Sequence, residues 1–217
     1  MKRLMQFALS LLLTTGGIAF ASEQDCGTDP TALVGGLPVS AEASFSTDDN
    51  GNISITVANA QADPLSASQL LNGVAFTLSE SETTGTLMSD TAAMRTIAAG
   101  GKFMNGAPSA MGWALAENTA GGLELCVLCT DLGAVGPKHL LIGPAAASGI
   151  YASANDSIAG NKPHNPFTVG QASFFVNAPG VTSATFITGV TFFFGTDAGV
   201  SVPGSCSGGG PVGGPVG

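Results

Sequence analysis

Basic side chains are scarce in this sequence. Its 217 residues contain six Lys and Arg against 15 Asp and Glu, which gives a formal net charge of −9 at pH 7. An acidic protein of this kind repels phosphate backbones and anionic headgroups. We therefore expect neither a nucleic-acid partner nor an anionic membrane surface, and divalent cations or neutral polymers fit the charge better.

Charge of either sign is also sparse, because only 10% of the residues are Asp, Glu, Lys or Arg. This low value excludes a heavily charged disordered protein and a Lys/Glu-rich helical bundle. Glycine, by contrast, occurs 31 times. A chain with little charge and many small residues is typical of secreted β-structure with many turns.

The sequence also lacks the common catalytic motifs. It has two histidines, and neither a GxSxG nucleophile elbow nor an HExxH zinc motif occurs. We expect a protein that is not an enzyme and that needs no cofactor and no metal. The glutamates inside the domain, which a glycosidase would need as a pair, are expected to be solvated residues in or beside turns: Glu80, Glu82, Glu117 and Glu124.

Tryptophan and tyrosine occur once each, as Trp113 and Tyr151. Either ring could stack on a sugar in a carbohydrate-binding module. Such modules usually expose several aromatic rings, whereas most aromatic residues here are among the 12 phenylalanines, in apolar runs. The position of Trp113 between Gly112 and Ala114 favours a place in the core.

The N-terminus is typical of a secretory signal peptide. Lys2 and Arg3 precede an apolar run that ends at an Ala-Phe-Ala cleavage site, so cleavage is expected before Ser22. The removed residues, 1–21, carry two of the six basic side chains, so the net charge becomes four minus 15, or −11. We expect a secreted, extracellular protein with no membrane span after cleavage.

The remaining 196 residues fit one domain. The turn-rich segment 22–38 is expected to form an irregular N-terminal arm, and 39–204 the folded domain. The last segment, 205–217, reads SCSGGGPVGGPVG. Its Gly and Pro content cannot bury a core, so we expect a flexible tail.

Four cysteines remain after cleavage, and an even number in an oxidising compartment favours two disulfides. Cys126 and Cys129 lie in LCVLC, close enough to bridge locally. That pairing leaves Cys26, near one end of the chain, to bond with Cys206, near the other. A redox centre or a zinc site would need an α/β unit or a second pair of ligands, and the sequence has neither.

Short strands separated by turn signals predict the fold class, a single antiparallel β-sandwich of the jelly-roll type. Five segments carry most of the prediction: a hairpin over 43–57 around Asn50-Gly51, a short helix at 66–72 followed by a strand from Gly73, a hairpin over 94–103, a strand pair at 110–115 and 122–128, and a strand at 138–143.

The segment 171–195 contains six phenylalanines and is expected to organise the core. Its two apolar runs flank Pro179-Gly180, which predicts a pair of strands joined by a turn. A Gly-Val-x-Phe pattern at Gly73 recurs at Gly189, which favours two equivalent strands that bury their valines or phenylalanines.

One long loop, 145–166, is the best candidate for a ligand site, because Pro163 and Pro166 stiffen it around a histidine. In most proteins such rigidity only shapes a crossover between strands, so a structural role is the stronger interpretation. The residues that could hold a ligand, including calcium through oxygen atoms, are Asn155, Asp156, Asn161 and His164.

Three segments resemble secreted bacterial proteins of the PEP-CTERM class: QLLNGVAFTL at 69–78, Gly112-Trp113, and GNKPHNPF at 160–167. The resemblance implies export and association with a cell surface or an exopolysaccharide matrix, and it transfers no functional residues. The chain ends at Gly-Pro-Val-Gly without the Pro-Glu-Pro, apolar helix and basic end of that class. A released form or a truncated tail is therefore expected.

The sequence favours a non-catalytic, secreted matrix or cell-surface protein that contacts exopolysaccharide or other surface components. A carbohydrate- or calcium-binding module is the alternative. A hydrolase is the third and weakest hypothesis.

Overall fold

The computed structural model describes residues 22–118, 121–135 and 139–207. The expected signal peptide, 1–21, and most of the expected tail, 208–217, lie outside the described residues.

The described chain is built from short and medium β-strands with one 3₁₀ turn, Ala67–Gln69. The strands are β1 (Ser22–Thr28), β2 (Leu33–Val34), β3 (Leu37–Pro38), β4 (Ala41–Thr47), β5 (Asn52–Asn59), β6 (Leu71–Leu78), β7 (Thr86–Ile97), β8 (Phe103–Asn105), β9 (Ser109–Ala110), β10 (Ala114–Glu117), β11 (Leu123–Cys126), β12 (Leu128–Cys129), β13 (Gly133–Ala134), β14 (Leu141–Ile142), β15 (Phe167–Asn177), β16 (Ile187–Phe194) and β17 (Ser201–Ser207).

Thirteen strands form one sheet in the order β10-β11-β6-β16-β17-β1-β4-β5-β15-β7-β8, with β9 beside β7. The two-residue strand β14 pairs with both β15 and β6. This strand closes the sheet, so that eight strands form a ring: β6, β16, β17, β1, β4, β5, β15 and β14. The all-β class is confirmed. The jelly-roll sandwich is not confirmed, because one continuous sheet curls into a closed barrel instead of forming two facing sheets.

The hairpin of β4 and β5 shows why these residues form strands. Side chains alternate along both strands, and Phe45 and Ile55, which are paired, both lie inside the ring. Gly51 adopts a φ of +79° in the turn, a conformation that favours glycine. The predicted hairpin is confirmed.

The two Gly-Val-x-Phe segments are neighbours in the sheet. Strands β6 and β16 run antiparallel, which places Val74 opposite Phe192 and Phe76 opposite Val190. All four side chains are buried. The repeated pattern therefore supplies large and small side chains that complement each other across the strand pair.

The phenylalanine-rich segment forms two strands, as predicted, but these strands do not pair with each other. One edge of β15 is occupied by β5 and β14, and the other by β7. Strand β16 therefore pairs with β6 and β17 in another part of the ring. The prediction that the chain folds back on itself at Pro179-Gly180 is wrong.

The expected irregular arm over 22–38 needs a correction. Residues Ser22–Thr28 form β1, which pairs with β17 on one side and β4 on the other. Strand β17 continues to Ser207, beyond the expected end of the domain at residue 204. The two ends of the described chain are therefore adjacent strands of the ring.

Both predicted disulfides are confirmed. The Cys26–Cys206 bond joins β1 to β17, at a directly paired position of the two strands. The Cys126–Cys129 bond links the end of β11 to β12. The first bond connects residues 180 positions apart in sequence and the second connects residues three positions apart.

Four further predictions are met by elements whose extent differs from the prediction. Strands β7 and β8 form the hairpin expected over 94–103, and β10 pairs with β11. The helix expected at 66–72 is reduced to the 3₁₀ turn, because Leu70 is already extended and β6 begins at Leu71. The strand expected at 138–143 is the two-residue β14, which closes the ring.

Candidate ligand-binding face

The loop predicted to hold a ligand uses much of its polar chemistry to hold itself together. The Oδ1 atom of Asn155 accepts hydrogen bonds from the backbone and hydroxyl of Ser157, at 2.9 and 2.6 Å. The amide of Asn161 donates to the carbonyl of Ser157 at 3.0 Å, while its Oδ1 atom is buried with no hydrogen-bond partner in the described chain. Asp156 is exposed and His164 is half-buried. The loop is therefore a compact structural segment, which a ligand would have to open to reach Asn161 Oδ1.

The two rings proposed for sugar stacking are both buried. Trp113 is 5% exposed and packs against Phe174, with ring centroids 5.3 Å apart. Tyr151 is 1% exposed and packs against Phe103 at 5.7 Å. Neither ring has a face available to a sugar, so the stacking hypothesis is corrected for both residues.

A different surface carries the features of a ligand-binding face. The outward side chains of β4, β5, β15 and β7 are mostly small hydroxyl residues that line up across the strands. One row runs from Ser44 through Thr56 and Ser173 to Thr91, and a second runs from Ser46 through Ser54 and Phe175 to Ser89. We call these eight residues the hydroxyl face. Because neighbouring strands lie about 4.8 Å apart, each row presents polar groups at a regular spacing.

Phe175 is the aromatic residue of the hydroxyl face. Its side chain is 38% exposed, while the adjacent Phe174 points into the ring and is 3% exposed. Met88, which is also exposed, is the extra residue of a bulge between the paired positions Ser89 and Leu87 of β7. The hydroxyl face therefore combines one flat apolar ring with flanking groups that both donate and accept hydrogen bonds.

A depression of about 490 Å³ continues this surface over β1, β4 and β17. Its lining includes Gly27 and the side chains of Asp25, Glu42, Ser44 and Ser205. The hydroxyl of Ser44 donates to Asp25 Oδ1, which connects the depression to the first hydroxyl row. Carboxylates accept hydrogen bonds, so this end of the surface complements ligand hydroxyl or amino groups.

Comparisons with protein-family models, curated proteins and solved structures gave no match. In the described part of the chain, no cluster of three or more His, Cys, Asp or Glu side chains is arranged to hold a metal ion. Over the same residues, none of the helices has the length and apolar character needed to cross a bilayer.

Glu124 is the titratable residue that sequence reasoning misjudged. It was expected to be solvated beside a turn, yet its side chain is 0% exposed between β10 and β6. Oε1 accepts hydrogen bonds from the backbone and hydroxyl of Thr130 at 3.1 and 3.2 Å, and Oε2 has no partner among the described residues. Burial raises the pKa of this carboxyl, and the Thr130 hydrogen bonds offset part of that rise.

A buried carboxyl with a raised pKa can mark a catalytic acid. Glu124, however, has no exposed surface through which it could touch a substrate. The apolar and charged residues alternate in Leu123, Glu124 and Leu125, as they would in a strand with one solvated face. In the structure, however, β11 is buried on both faces. No local signal in the sequence distinguishes these two cases.

Proposed function

We propose that this protein is a non-catalytic, extracellular component of a matrix or cell surface that binds a polysaccharide through the hydroxyl face. The observation that carries the proposal is the position of Phe175, an exposed ring surrounded by Ser and Thr hydroxyls on adjacent strands. An aromatic ring of this kind covers the apolar face of a sugar, while flanking hydroxyls exchange hydrogen bonds with sugar hydroxyls.

Two further features support an extracellular role. Disulfides persist in oxidising compartments, and this chain has two. The resemblance of segments 69–78 and 160–167 to the PEP-CTERM class is consistent with export to a surface or an exopolysaccharide matrix. None of the eight residues of the hydroxyl face is charged, which favours contact with sugar hydroxyls over contact with the phosphates of a nucleic acid or an anionic lipid.

Retention on insoluble polysaccharides, combined with a glycan array, tests this proposal. We expect the wild-type protein to be retained and Phe175→Ala to bind about tenfold more weakly, which corresponds to about 1.4 kcal/mol. Met104→Ala is the matched control, because Met104 is 73% exposed on β8, outside the hydroxyl face. A wild-type protein that binds no glycan, or equal binding by Phe175→Ala and Met104→Ala, would contradict the proposal.

A further inference from the structure

Arg95, near the end of β7, has an unusually well-defined position for an arginine. Its Cζ atom lies 3.9 Å from the centroid of the Phe103 ring. Its Nε atom donates a hydrogen bond to Asn105 Oδ1 at 2.8 Å, and Nη1 donates to the Tyr151 hydroxyl at 2.9 Å. Ring stacking and two directed hydrogen bonds fix the plane of the guanidinium group.

The neighbours of Arg95 are themselves held in place. The Tyr151 hydroxyl donates to the carbonyl of Gly143 at 2.9 Å. Burial raises the pKa of Tyr151, so the phenol stays neutral and does not act as a counterion. Phe103 packs edge-on against the Tyr151 ring. The guanidinium group therefore rests in a framework that needs little reorganisation to receive a ligand.

Arg95 lacks the partner that an arginine usually has. The protein contains 15 carboxylates, yet none among the described residues lies within ion-pair distance of Arg95. A guanidinium group has five N–H donors, and the two hydrogen bonds described above use two of them. Arg95 is only partly buried, so a ligand can approach from solvent.

We infer that Arg95 is the anchor of a carboxylate-binding site whose ligand is a uronic acid unit of a saccharide. The remaining N–H donors of a fixed guanidinium match the two oxygens of a carboxylate. The choice of a saccharide rests on the proposed function, whereas the choice of a carboxylate rests on Arg95 and its neighbours alone. Because the protein as a whole is acidic, binding depends on this short-range geometry and not on long-range attraction.

Titration of the full protein with glucuronate, glucose and acetate, at an ionic strength of about 0.15 M, tests the inference. We expect glucuronate to bind, and glucose and acetate to bind at least about tenfold more weakly. Arg95→Lys should weaken glucuronate binding about tenfold, because lysine keeps the charge but loses the planar pair of donors. Lys102→Gln is the matched control, since Lys102 is an exposed cation on the same hairpin and its removal should leave binding unchanged.

Asn105→Asp provides a second variant that preserves Arg95 itself. Asn105 is exposed, so the added carboxylate should not disturb the core, and it places an internal counterion beside Arg95. We expect this variant to lose glucuronate binding while the fluorescence of the buried Trp113 stays that of the folded protein.

The inference would be overturned if glucuronate did not bind, or if Arg95→Lys bound glucuronate as tightly as the wild type. Equal affinity for acetate and glucuronate would also overturn it, because the site would then recognise a carboxylate without the sugar. This inference and the proposed function can fail independently, because different variants test them. Phe175→Ala should leave glucuronate binding unchanged, and Arg95→Lys should leave retention on neutral polysaccharide unchanged.

Discussion

Phe174 and Phe175 are adjacent in sequence, yet β15 places the first ring inside the closed sheet and the second on the hydroxyl face. The alternation of a strand requires this separation. What the sequence could not show is which of the two faces is covered. The apolar composition of the segment predicts that its phenylalanines are buried, and this prediction is wrong for Phe175.

Glu124 yields a prediction at the residue scale. Its carboxyl has a pKa above the ordinary value of 4.5 in the folded protein, because burial disfavours the charged form. The unfolded chain therefore binds fewer protons than the folded one above about pH 4.5. The free energy of unfolding should fall as the pH rises from about 4.5 through the pKa of the folded protein.

Substitution Glu124→Gln should remove this pH dependence. Relative to wild type, the variant should therefore become progressively more stable as the pH rises from 4 to 8. Urea unfolding at both pH values measures the difference, with Glu117→Gln at an exposed position as the control. A difference in unfolding free energy between Glu124→Gln and wild type that is the same at both pH values would mean that folding does not shift the pKa of this carboxyl.

At the scale of elements, local hairpins were predictable and long-range pairings were not. The turn at Asn50-Gly51 and the turn at Gly100-Gly101 join strands that do pair, because their short connections leave the strands no alternative partner nearby. The connection from β15 to β16 spans nine residues and crosses to another part of the ring. Its course depends on which strand edges are already occupied, and no local pattern contains that information.

The contact between the β7–β8 turn and the loop that contains Tyr151 gives a second prediction. Gly101 has a φ of +78°, and a Cβ atom there would overlap the backbone carbonyl of Tyr151. Gly100 has a φ of +83°, with open space around a Cβ atom. The two glycines therefore differ in packing but share the same backbone strain.

Gly100→Ala should cost about 1 kcal/mol of unfolding free energy, from the positive φ alone. Gly101→Ala should cost at least about 2 kcal/mol more than Gly100→Ala, because the loop that contains Tyr151 must move away from the β7–β8 hairpin. Denaturant unfolding followed by Trp113 fluorescence measures both values. Equal costs at the two positions would mean that the loop does not pack on this turn.

At the scale of the whole molecule, the ring is closed covalently as well as by hydrogen bonds. The Cys26–Cys206 bond ties the first and last described strands, 180 residues apart in sequence. Its removal frees a long loop in the unfolded state, and loop-closure entropy assigns about 5 kcal/mol to such a bond. The Cys126–Cys129 bond closes a three-residue separation and is assigned about 2 kcal/mol.

Replacing each pair of cysteines by serine tests this ordering. The Cys26→Ser, Cys206→Ser variant should lose about two and a half times as much unfolding free energy as the Cys126→Ser, Cys129→Ser variant. Chemical denaturation under non-reducing conditions measures both. A larger loss in the Cys126 and Cys129 variant would show that local packing around β11 outweighs closure of the ring.

The all-β class and the disulfide pairs followed from composition, alternation and cysteine positions, whereas the predicted jelly-roll sandwich did not form. The closed topology did not follow from these features, because it depends on β14, two residues long, and on β1, whose sequence SEQDCGT gives no strand signal. The hydroxyl face is formed by four strands, of which β7 and β15 are distant in sequence from the β4–β5 hairpin. It becomes visible only when Ser44, Thr56 and Ser173 are placed side by side.

The central claim is that the hydroxyl face is where this protein meets a polysaccharide. Amide chemical-shift mapping of the isotope-labelled protein, titrated with oligosaccharides from the polymer that retains it, tests that claim most directly. The account predicts that the largest shifts cluster at Ser54, Thr56, Ser173 and Phe175, and that they disappear in Phe175→Ala. Shifts confined to the loop over 155–164, or to any other part of the surface, would contradict it.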